Sequence, residues 1–174
     1  HGLKNVGFLR TRIEVIESLF AAGEVAEIWI TFADPQIGRE KKRLTAPLFM
    51  NRYRNFLKPG GIVHLKTDSR YLHEYSIAMA RQNDLKILAY GTDIYGEDRE
   101  QLYASELSSV SGRSAVDALF EVQTFYESQY LAQGFPITYL AFLADHEGDY
   151  ISPEWDEDTW KDEGHHFVIP SGLA

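Results

Sequence analysis

A chain of 174 residues, 44% hydrophobic and 13% aromatic, holds enough apolar material for one domain with a packed core, and its lack of cysteine excludes disulfides and thiolate metal sites. No apolar run approaches the roughly 20 residues that span a bilayer, and no charged-then-apolar leader opens the chain, so a cytoplasmic protein with no membrane partner is expected. The net charge of -9 argues against a nucleic-acid partner until its distribution is read: residues 145–163 hold nine acids and one lysine, so the rest of the chain carries only -1.

In chain order, Ile13, Ile16, Leu19 and Phe20 recur at helical spacing and predict a helix over 12–22, stopped at Gly23. The run AEIWITF (26–32) is short and rich in branched and aromatic residues, and predicts a buried strand. A stripe of Leu48, Phe49, Tyr53, Phe56 and Leu57 predicts a helix ending at Pro59-Gly60-Gly61, followed by a strand over 62–67, a helix over 71–83 and a strand over 86–92. Residues 93–118 mix Gly, Ser and charge, and a long or mobile connection is expected there. A helix over 119–134 and a strand over 136–144 close the pattern. Strands alternating with helices predict an α/β fold with a mostly parallel sheet flanked by helices. Trp155 and Trp160 are expected to pin the acidic tail onto the domain. The six histidines, four scattered and two adjacent at 165–166, have no metal-ligand spacing, and no metal is expected.

In an open parallel sheet, ligands lie beyond the carboxyl ends of the strands. Asp34 follows the first strand and Thr67-Asp68 follows the second, so two carboxylates are expected at one crevice. Each acid also suits a helix N-cap, a reading that fits Asp68 before SRYLHEY better than Asp34 before Pro35. The run REKKR supplies Arg39, Lys41, Lys42 and Arg43, which form either a solvated face or a set of phosphate contacts.

FADP (32–35), KKR (41–43), LKPGG running to HLKTD (57–68) and TFYE (124–127), in that order and spacing, resemble the bacterial tRNA (guanine-N7)-methyltransferase family over roughly residues 2–144. The resemblance implies a Rossmann-like domain that uses S-adenosylmethionine to methylate N7 of a guanine in the variable loop of tRNA. It makes Asp34 the catalytic acid, close to the cofactor, and makes Thr67 and Asp68 substrate-binding. Arg39, Lys41, Lys42 and Arg43 would face tRNA, and Thr124, Phe125, Tyr126 and Glu127 form the substrate-binding tetrapeptide. Thr11 and Arg12 stand where an acid for the adenine amino group is expected.

The sequence departs from the family pattern at Ala33, Gln36, Gly38 and Ser69, which replace a proline, a tryptophan, a lysine and a second tryptophan. The glycine-rich cofactor loop is also missing, since Gly60-Gly61 precedes a strand and does not follow one. Residues 1–144 are therefore expected to be the later part of a methyltransferase domain and 145–174 an acidic extension. The alternative is a non-catalytic RNA-binding relative without the cofactor half. A small-molecule methyltransferase would leave the basic run and TFYE without a task, and the sequence sets no oligomeric state.

Overall fold

The computed structural model describes residue 2 and residues 4–160. Four strands, β1 (Val25–Thr31), β2 (Leu57–Thr67), β3 (Ile87–Gly91) and β4 (Thr138–Leu143), form a sheet in the order β1-β2-β4-β3. β1 and β2 pair in parallel, with Glu27 opposite Ile62 and Thr31 opposite Lys66. β4 runs antiparallel to both β2 and β3. Three strands thus point the same way, as the helix–strand alternation implies, while the last one inserts between two of them in the opposite sense. β4 is buried from Thr138 to Phe142 and takes a central place where both of its edges find ladder partners. Its residue pattern carries no information on direction.

Side chains alternate across each strand, and the two faces are covered by different helices. Val63, Leu65, Leu140 and Phe142 pack with Phe49, Met50 and Tyr53 of α1 (Pro47–Tyr53) and with Leu72, Tyr75 and Met79 of α2 (Arg70–Gln82). Ile62, Tyr139 and Ala141 pack with Leu102 of α3 (Arg99–Tyr103), Leu107 of α4 (Glu106–Val110) and Val116, Leu119 and Phe120 of α5 (Arg113–Glu121). A sixth helix, α6 (Phe125–Ala132), leads into β4.

Several boundaries differ from expectation. The stretch 12–22 forms only a 3-10 helix, Ile13–Ser18, with no fully buried residue. Ile13 and Ile16 touch the core, and so short an apolar face does not carry a longer helix. The stripe at 48–57 splits, because Leu57 already pairs with Val25 and begins β2. The register then breaks across Pro59-Gly60-Gly61, where Gly60 has φ +73° and a Cβ on Gly61 would lie 2.8 Å from the Lys58 carbonyl oxygen. Residues 93–118 are not a loose connection but hold α3, α4 and the start of α5, each anchored by one or a few apolar residues. The helix expected over 119–134 breaks at residues 122–124 into α5 and α6. Finally, β1 is not buried: it sits at the sheet's edge, with only Ile30 fully covered and Trp29 39% exposed.

Within the acidic segment, residues 151–160 fold back over α2. Trp155 meets Tyr71 and Tyr75 edge-on and stacks on Trp160 at 5.7 Å. His1 and the pair His165-His166 lie outside the described residues. Among the described residues, no helix is long and apolar enough to cross a membrane.

Candidate active site

The parallel β1–β2 pair delivers two acids to the same end of the sheet, past the carboxyl ends of both strands. Pairing continues one residue past β1, through Phe32 N–H to the Lys66 carbonyl at 2.9 Å, and Asp34 follows two residues later. Asp68 comes directly after Thr67, the last residue of β2.

Asp34 occupies a constrained loop. Phe32 and Gln36 on either side of it have φ of 50° and 52°. Such left-handed non-glycine residues cost roughly 1–3 kcal/mol each and persist only where the surroundings over-determine them. One constraint is Asp34 itself, whose Oδ1 accepts from the Gln36 N–H at 2.9 Å. Another is Arg43, whose Nε donates to the Pro35 carbonyl at 3.0 Å and whose Nη2 donates to the Gln36 carbonyl at 3.2 Å. The Phe32 ring stacks on Tyr130 of α6. The loop is thereby fixed while the Asp34 side chain stays exposed, with no hydrogen bond to its Oδ2 among the described residues.

A cavity of about 480 Å³ opens beside it. Ile13, Leu44, Leu48 and Phe49 supply apolar walls, Asp34 and Glu14 supply carboxylates, and Lys41, Lys42 and Arg52 supply cations. Arg52 is engaged, donating to the Glu14 carbonyl at 2.5 Å and lying 3.7 Å from Glu17. The apolar wall fits a flat heteroaromatic group, and the two carboxylates lie among three cations, so the polar lining offers partners to groups of either charge.

The basic run divides in two. Arg39, Lys41 and Lys42 are exposed and available to an anionic ligand. Arg43 does not face solvent, contrary to expectation: its side chain is fully buried and stacks over Tyr75 with the guanidinium carbon 3.9 Å from the ring centre. It forms an ion pair with Glu157 at 3.0 Å and a hydrogen bond with the Tyr71 hydroxyl. A buried guanidinium needs such a counter-charge and acceptors, so Arg43 belongs to the loop's foundation. Glu157 also accepts from the Gly38 N–H at 3.2 Å and from Tyr71. Burial opposes ionisation of Glu157, but the bonds from Tyr71, Arg43 and Gly38 outweigh it and hold this carboxyl below its ordinary range.

Asp68 is half-buried, and burial pushes its carboxyl up, only partly offset by a backbone hydrogen bond. It does not line the cavity beside Asp34; its charge acts on Tyr130 of α6 instead. Thr67 is buried, its hydroxyl accepting from the Ser69 N–H at 3.1 Å and its carbonyl from Thr138, so it shapes the turn and is not presented to a substrate.

The tetrapeptide at the start of α6 also divides. Thr124 and Glu127 form a reciprocal capping box, with both bonds at 3.1 Å. Glu127 is fully buried, 2.5 Å from Lys66 Nζ and bonded to the Tyr95 hydroxyl at 2.7 Å, so it anchors the helix and has no open side for a ligand. Burial pushes the Lys66 ammonium down, against the support of Glu127. Phe125 and Tyr126 are 61% and 66% exposed and form the open half of the motif.

Thr11 and Arg12 are exposed and lie outside the cavity, whereas Glu14, two residues further on, lines it. Sequence reasoning passed over Glu14 and Glu157. The first carries its signal only as an acid near the expected position. The second acts on Gly38 from 119 residues away, and no local pattern marks it.

Residues 1–105 match the protein-family model described as "Putative methyltransferase". A tRNA (guanine-N(7)-)-methyltransferase of Bacteroides thetaiotaomicron is 44% identical over 153 residues, covering 88% of this chain and 54% of that protein. The protein of the same name from Christiangramia forsetii is 48% identical over 143 residues, covering 81% and 57%, and that of Listeria monocytogenes is 30% identical over 135 residues, covering 76% and 54%. The chain spans about half the length of the curated relatives it matches. With an acid held at a strand end beside a cavity, and with that model matched over more than half its length, the chain belongs to this methyltransferase family, and its relatives there carry the name tRNA (guanine-N(7)-)-methyltransferase.

Proposed function

We propose that the full-length protein transfers the methyl group of S-adenosylmethionine to N7 of a guanine in the variable loop of tRNA, a reaction of the cytoplasm. Residues 1–144 serve as part of the catalytic domain and 145–174 as an acidic extension. The observation that carries this reading is the fixed loop that presents Asp34 with one carboxylate oxygen open, beside a cavity shared with Lys41 and Lys42. The relatives' names supply the substrate class.

S-adenosylmethionine, when bound, supplies an electrophilic methyl group on a sulfonium. Glu14 would offer that cation a carboxylate, and Ile13, Leu44 and Leu48 would offer the adenosine an apolar wall, which leaves Asp34, at the rim of the same cavity, for the base. Guanine N7 has a lone pair and no proton, so the residues have no proton to remove and their work is alignment. The open oxygen of Asp34 accepts hydrogen bonds from the guanine N1 and N2 hydrogens, which fixes the base and favours the positive charge that develops on its ring. Holding the reacting atoms in line contributes up to about 7–11 kcal/mol at the ideal limit. Asp68 at the end of the neighbouring strand, with Phe125 and Tyr126, forms the substrate side, where exposed rings suit stacking on an unpaired base. Arg39, Lys41 and Lys42 contact the tRNA backbone.

Asp34→Asn tests the assignment. An asparagine side-chain oxygen still accepts from the Gln36 N–H, so the turn survives while the charge is lost. Single-turnover methylation of transcribed tRNA should fall about a hundredfold to a thousandfold with an unchanged melting midpoint. The residual rate should keep the wild-type pH profile, because no general base is removed. Near wild-type turnover would remove Asp34 from the mechanism.

A further inference from the structure

We infer that Glu157, in the acidic segment after the last strand, is a positioning residue for the loop that carries Asp34. The inference rests on the role proposed above for Asp34. Six contacts join the two. Arg43 holds the carbonyls of Pro35 and Gln36, the two residues that follow Asp34. Glu157 pairs with the same guanidinium nitrogen that binds Gln36. Its other oxygen accepts from Tyr71, which also bonds that nitrogen, and from the N–H of Gly38 at the far end of the turn. One carboxylate therefore grips the loop directly at residue 38 and through Arg43 at residues 35 and 36.

The need for this grip follows from the loop. Phe32 and Gln36 are left-handed without being glycine, so the backbone relaxes unless it is held. Arg43 can hold it only while its own buried charge is balanced, and Glu157 is the carboxylate within ion-pair distance among the described residues. Trp155, packed edge-on against Tyr71 and Tyr75, fixes the segment that delivers Glu157. The acidic segment is thus tied to the candidate active site through an acid that does not line its cavity.

The test uses the full-length protein at a temperature well below its melting midpoint, with Glu157→Ala, Glu157→Gln and the exposed control Glu154→Ala. Trypsin reads the loop without any reaction being run, because Arg39, Lys41 and Lys42 are exposed cleavage points directly after it, the two lysines in the 3-10 turn Glu40–Lys42. Loss of one charge-assisted grip should raise cleavage there about tenfold, in step with the open population, while cleavage after Arg113 stays at the wild-type rate. The methylation rate at saturating tRNA and S-adenosylmethionine should fall about tenfold in Glu157→Ala, with KM for tRNA within about twofold, as expected when only alignment is lost. Glu157→Gln, which keeps an acceptor for Tyr71 or Gly38, should lie between, and Glu154→Ala should match wild type. In an Asp34→Asn background the further loss from Glu157→Ala should vanish.

Unchanged trypsin cleavage, or an equal rate loss in both backgrounds, would overturn the inference. If Asp34→Asn lowers turnover and Glu157→Ala does not, this inference alone falls. If Asp34→Asn leaves turnover intact, the role of Asp34 falls and takes the positioning role with it.

Discussion

Arg43→Met separates a buried structural cation from a tRNA contact. The substitution removes two charge-assisted hydrogen bonds to Pro35 and Gln36, the pair with Glu157 and the stacking on Tyr75 and Tyr71. A hydrogen bond to a charged group is worth about 1.5–3 kcal/mol, and leaving the buried Pro35 carbonyl without a donor costs about 1–3 kcal/mol. Two effects work the other way. Methionine no longer carries a guanidinium's desolvation cost, and the Glu157 side chain, 32% exposed, regains water. The net loss is about 2–4 kcal/mol, which for a chain of this size is about 4–16 °C in the melting midpoint. Lys41→Met and Lys42→Met, at exposed positions, should stay within about 0.5 kcal/mol of wild type. Melting curves and urea titrations of the full-length variants measure the stability, and filter binding of tRNA at several salt concentrations measures the contact. A wild-type midpoint for Arg43→Met combined with a shallower salt dependence of tRNA binding would refute the structural assignment.

Replacing Lys41 and Lys42 together by methionine should weaken tRNA binding and reduce the slope of log K against log salt by up to about 0.9 per lost phosphate contact where the RNA is duplex-like. An unchanged slope would return them to a solvated face. His64 of β2, enclosed by Trp29, Tyr139 and Glu27, is depressed from 6.5 to about 4 because burial outweighs the Glu27 charge. The unfolded chain therefore binds this proton first: the stability is fully present above pH 6.5 and is lost as pH falls toward 4, at up to about 1.4 kcal/mol per pH unit. His64→Gln should flatten the difference in melting midpoint between pH 7 and pH 4, and an unaltered pH dependence would contradict the assignment.

The sequence by itself determined the α/β alternation, because branched runs such as Ile28-Trp29-Ile30 and Val63-His64-Leu65 and the stripe of α2 encode strand and helix within a few residues. It also located Asp34 and Asp68 at strand ends, since a strand's end and the acid after it are neighbours in the chain. Tertiary structure decided what depends on distant partners. Which cations of REKKR face solvent is set by Tyr71, Tyr75 and Glu157, so four similar charges separate into three exposed and one buried. Glu127 reads as a binding residue in TFYE until Lys66 and Tyr95 arrive from other elements and occupy it. The insertion of β4 between β2 and β3 likewise follows from which edges remain to be paired, and pairing across a sheet leaves no trace in local periodicity.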